Sequence, residues 1–176
     1  KSQVWISDYT MSLLLFILAV LISFKILINS FAVNSDFNEL KDDAAKMSEM
    51  LLSEGYPVDW TNNTVIRPGI MIGKRLDPTK VYNAMNMSYT ALRPKLQTRH
   101  DFLIIFEDPD SDMIEFNDKC VIGSPSVTIN TTGSAPNIDC HNPLFPSIDY
   151  HNLVKLTRLA IYESKIVKMV IYAWNE

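Results

Sequence analysis

At 176 residues the chain has room for one compact domain and one further element, and too little for a two-domain enzyme. A net charge of -4 leaves no basic stripe to neutralise phosphates, so nucleic acid is excluded as a partner. Two cysteines and five glycines likewise exclude a disulfide-dense scaffold, a collagen repeat and a glycine-rich linker.

Every glycine and every proline lies beyond residue 54, so the first third of the chain contains none of the strongest helix breakers. One helix can run through residues 1–54, hydrophobic over 1–34 and amphipathic over 35–54. Tyr9 to Phe24 (YTMSLLLFILAVLISF) carries no charge, and Lys25 separates it from the mostly apolar Ile26 to Val33. A bilayer core of about 30 Å takes about 20 apolar residues. The stretch reads as a membrane segment from which Lys25 snorkels or finds a partner. It is long for a signal-peptide core, and no small-x-small cleavage site closes it. The absence of an initiator Met before Lys1 is read as processing upstream of the first residue.

Phe37, Leu40, Ala44, Met47 and Leu51 follow at spacings of three and four, which puts them on one stripe of the helix. Six acids (Asp36, Glu39, Asp42, Asp43, Glu49, Glu54) and two lysines (Lys41, Lys46) occupy the same segment and give it a solvated, acidic face. The stripe is expected to pack on the chain's own domain rather than on a coiled-coil partner, because no heptad pattern is sustained. Gly55 is the stop signal, with Pro57 after it.

Residues 55–176 hold all nine prolines and both cysteines and read as a β-rich head domain. Asp77-Pro78 is an N-cap and N1 pair, which predicts a short helix over Thr79 to Asn86. Phe102 to Phe106 (FLIIF) has the composition of a central strand buried on both faces. Leu153 to Tyr162 and Ile166 to Trp174 flank Glu163, Ser164 and Lys165 as a hairpin, with Val167, Met169, Ile171 and Ala173 forming an apolar face. The long helix can cover that face. Residues 107–150 are rich in turn formers and predict irregular loops with one or two short edge strands. The fold class is therefore α+β: one long N-terminal helix packed on an antiparallel β-rich head.

A basic first residue, an apolar helix, its amphipathic continuation and a β-rich head resemble the mature subunit of a type IV pilin, specifically an archaeal pilin-like protein. The stretches that carry the resemblance are KSQVWISDYTMSLLLFILAVLISF, SEGYPVDW and NLVKLTRLAIYESKIVKMVIYAW. It implies leader cleavage by a prepilin peptidase and insertion in the cytoplasmic membrane. Extraction by an assembly ATPase and platform protein then gives a helical homopolymer at the cell surface that serves adhesion. Bacterial pilins share a glutamate a few residues inside the mature terminus, whereas the first acid here is Asp8. Asp8, Leu15, Leu21 and Lys25 are the expected filament-core contacts. The competing readings are a single-span anchored binding domain, a minor pilin and, more distantly, an anchored hydrolase using the acids from Asp108 to Glu115.

The remaining motifs are modest. Cys120 and Cys140 enclose a polar loop in a domain placed outside the cell, which reads as a disulfide, two buried thiols being the alternative. Asn62, Asn86 and Asn130 each begin an N-glycosylation sequon, all in the head. Asp108, Asp110 and Asp112 resemble the start of a calcium loop. The glycine after the third acid is missing, however, and Lys119 stands where the bidentate acid belongs, so an acidic turn is the better reading. Cys140-His141 has no second Cys or His at ligand spacing, so no metal site is expected. His100, His141 and His151 are scattered, and no nucleophile motif or phosphate loop is present. Neither a cofactor nor an active site is expected.

Overall fold

The computed structural model describes residues 3–124 and 150–175, with side chains described at 7–29, 36–124 and 150–175. Helix α1 runs over Gln3–Leu51. A two-stranded ribbon of β1 (Met71–Ile72) and β2 (Arg75–Leu76) follows, then α2 (Pro78–Asn86), α3 (Tyr89–Lys95), β3 (Asp101–Glu107), β4 (Val121–Gly123), β5 (Asn152–Tyr162) and β6 (Lys165–Asn175). The last four strands form one antiparallel sheet in the order β4-β3-β6-β5. The class is α+β. Contacts group the chain into two compact units, Lys1–Glu39 and Leu40–Glu176. The division by element type at 54/55 differs from this grouping because the last turns of α1 pack inside the globular unit.

The centre of that unit is β3. Its FLIIF run is buried on both faces, as its composition predicts. Phe102, Ile104 and Phe106 pair with Ala173, Ile171 and Met169 of β6 and share one core with Leu40, Ala44, Met47 and Leu51 of α1. The α1 stripe thus covers the apolar face of the hairpin. Phe37, the first residue of the stripe, is 42 % exposed and falls in the other unit. On the opposite face of the sheet, Leu103 and Ile105 cluster with Val170, Tyr172 and Trp174. Glu163 and Ser164 form a two-residue turn with φ of 48° and 66°, so β5 and β6 close tighter than a three-residue loop and Lys165 joins the ladder opposite Tyr162. Both residues in the left-handed region give the turn a twist that matches its strands.

Helix α1 ends at Leu51 and not at Glu54, because its last carbonyls find partners outside the helix. The Ser53 hydroxyl and N–H both donate to the Met50 carbonyl, and Ile70 N–H donates to the Leu51 carbonyl at 2.8 Å. Gly55 follows at φ +75°. Here two backbone segments touch: a Cβ on Gly69 would stand 2.3 Å from the Gly55 nitrogen. Trp60 closes the corner by donating its indole N–H to the Gly69 carbonyl at 2.8 Å. α2 has the expected start, with the Asp77 carboxylate accepting from Lys80 N–H at 2.8 Å and Pro78 in the first turn.

Candidate functional site

The most distinctive surface lies in the unit Lys1–Glu39. Ser7–Asn29 is a 23-residue stretch long and apolar enough to cross a membrane, and none of it is buried within the chain. At 1.5 Å per residue it spans about 35 Å, a little more than a hydrocarbon core. Leu15 and Leu21 are 65 % and 64 % exposed, and large apolar residues occur on every side of the helix. A helix apolar all round needs an apolar surrounding, either lipid or other helices. Two of its hydroxyls bond back onto the helix: Thr10 Oγ1 donates to the Ser7 carbonyl and Ser23 Oγ to the Ala19 carbonyl, each at 2.9 Å. Such back-bonding removes the cost of unsatisfied donors in hydrocarbon. Asp8 and Lys25 are both exposed, near opposite ends of the stretch.

In the globular unit the polar side chains act mainly as ties. Asp43 is only 8 % exposed and so departs from the solvated face expected for it. Thr98 Oγ1 donates to its carboxylate at 3.3 Å, and His100 Nε2 stands 3.8 Å from the same oxygen. Arg158 Nε donates to the buried Ser48 hydroxyl at 3.1 Å, which links β5 to α1. Asp43 and Ser48 lie three and four residues from the stripe residues Leu40 and Ala44, a spacing that could have revealed both. Tyr89 donates to the Asp101 carboxylate at 2.5 Å, and Arg93 stands 3.5 Å from that carboxylate. Burial, reinforced by this hydrogen bond, pushes the Tyr89 phenol well above the ordinary tyrosine range.

Lys46, Glu49, Met50, Ser53, Arg67 and Gln97 line a shallow open cleft of about 310 Å³. The acidic run forms a closed turn: Asp108 Oδ1 accepts from Asp112 N–H at 2.9 Å, and Lys168 Nζ reaches the Pro109 carbonyl and Ser111 hydroxyl at 3.2 and 3.1 Å. Lysine therefore supplies the cation at this turn, and among the described residues no group of three or more acids, histidines or cysteines could hold a metal ion.

Cys120 is 1 % exposed and is not a free thiol, while Cys140 lies outside the described residues. Asn62 is exposed on a turn, and the Thr64 hydroxyl of its sequon accepts from Thr61 N–H at 2.9 Å. Asn86 is exposed but engaged: its amide donates to the Tyr82 carbonyl at 2.9 Å and its oxygen accepts from Lys119 Nζ at 2.6 Å. Asn130 lies outside the described residues. Compared with family models, curated proteins and solved structures, the chain matches none. Architecture and side-chain chemistry therefore carry the functional reading.

Proposed function

We propose that the chain is a structural subunit of an extracellular type IV pilus-like filament that polymerises through α1 and displays the β-rich head for adhesion. The observation that carries this reading is the exposed apolar stretch Ser7–Asn29 in the same helix that contributes Leu40, Ala44, Met47 and Leu51 to the core of the head. The stretch is suited to membrane insertion or secretion, and apolar on all sides it also suits a bundle of like helices. On this reading a prepilin peptidase processes the subunit, the membrane holds it, and an assembly ATPase with its platform protein extracts it. The chain performs no catalysis, and Asn62 and Asn130 carry glycans in preference to Asn86, whose amide is already engaged.

Lipid tolerates loose side-chain packing, whereas a helix bundle loses contacts with every removed methylene. Leu15→Ala and Leu21→Ala are therefore expected to keep the subunit in the membrane fraction while lowering filament yield roughly several-fold. Cell fractionation measures the first quantity and negative-stain microscopy of sheared surface material the second. Wild-type cells whose subunit remains in the membrane fraction without filaments would overturn the reading in favour of an anchored binding domain.

A further inference from the structure

Asp8 and Lys25 are the only charges between Ser2 and Asn34. Both lie in the uninterrupted helix α1 and both are exposed. Seventeen residues of helix separate them by about 26 Å along the axis and about 100° around it. They cannot meet within one chain. Nor do they meet between parallel neighbours at equal depth in a bilayer. There the same 26 Å, close to the thickness of a hydrocarbon core of about 30 Å, sets Asp8 near one surface and Lys25 near the other.

Resting on the filament reading, we propose that Asp8 of one subunit pairs with Lys25 of a second copy displaced axially by about 26 Å, and that this pair sets the stagger of the helices. The two charges are complementary, and nothing else charged competes along the stretch. Their different azimuths bring one face of a subunit against another face of its neighbour. A contact of this kind does not close on itself, and by repetition it generates a helical polymer rather than a pair. In an apolar bundle an unpaired charge strongly opposes assembly, so a subunit joins only in the register that neutralises both groups. The bilayer offers each charge a polar surface, and the polymer offers each charge the other, so pairing belongs to the assembled state alone.

The test uses the full-length subunit in cells. Asp8→Asn and Lys25→Gln should each reduce filament yield roughly tenfold or more while membrane insertion persists, and the exchange Asp8→Lys with Lys25→Asp should restore part of it. In wild-type filaments a zero-length carbodiimide should join the Asp8 carboxyl to the Lys25 amine, read by mass spectrometry as a link between two subunits. The subunit extracted from membranes should lack that link. Normal filaments with Lys25→Gln, or linkage of Asp8 to a different amine, overturn the pairing and leave the filament reading standing. No wild-type filaments at all overturn both.

Discussion

The Lys80 ammonium donates to the Glu54 carbonyl at 2.8 Å and to the Met71 carbonyl at 3.1 Å, tying α2 to the segment that follows α1. A buried cation is tolerated there because backbone oxygens replace its water. Gly69 works by absence, since only a residue without Cβ lets its backbone pass the Gly55 nitrogen. Tyr89 has a consequence for pH. Its ring lies 5.3 Å from that of Phe102 at a tilt of 47°, and its phenol is held protonated above the usual range by burial and by the Asp101 carboxylate. A folded-state pKa raised above the unfolded value of about 10 contributes stability that is intact below pH of about 10 and lost as the pH climbs toward the folded value. Tyr162 is shifted in the same direction, by burial and then by Glu163. Chemical denaturation of the wild type should therefore show stability falling above pH of about 10. Tyr89→Phe should be less stable at neutral pH, having lost a hydrogen bond to a carboxylate, yet fall less steeply in alkali, the remaining slope including the Tyr162 contribution. Equal alkaline slopes in the two proteins would contradict this account.

Helix α1 meets two environments, and its side chains report which is which. Met47 is fully buried against the sheet, whereas Phe37, ten residues earlier on the same stripe, stands 42 % exposed. Met47→Ala should cost about 2–5 kcal/mol, and Phe37→Ala less than about 1 kcal/mol, in denaturant unfolding of the head followed by its tryptophan signal. Similar losses at both positions would mean that the stripe packs as one face after all. Elements with a strong local signal were legible in the sequence: the apolar helix in its uncharged run, the central strand in the FLIIF composition, the C-terminal hairpin in its flanked turn and α2 in its Asp77-Pro78 start. α3 was not, because Pro94 in its last turn looks like a terminator and Ser88 makes no side-chain cap. The β1-β2 ribbon is two residues per strand, too short for any alternation, and only Gly73 at φ +60° marked its turn. Asp43 reads as solvated because it is charged, and Ser48 carries no signal of its own, although their spacing placed both beside the buried stripe. Distant Thr98 and Arg158 supply the partners that make burial affordable, and no local pattern could announce them.

At the scale of the whole molecule, the redox poise of the head's surroundings decides the chemistry of its two cysteines. Cys120 is buried immediately before β4, which pairs with the central strand through Ile104 and Ile122, and Cys140 follows 20 residues later in the chain. Thiols persist in a reducing cytosol, and disulfides persist outside it. On the filament reading the head is delivered to the outside, so Cys120 and Cys140 should be oxidised to each other in protein recovered from the cell surface. Closing a loop of this length contributes about 3 kcal/mol in the chain-entropy model. The effect should be specific to the pair: Cys120→Ser, Cys140→Ser and the double variant lose similar stability, because each opens the same loop. Intact-mass measurement after alkylation, with and without reductant, reads the redox state directly. No label without reductant and two labels with it are the expected result. Two labelled thiols in unreduced surface protein would overturn the bridge and leave the export of the head, on which the filament reading depends, untouched.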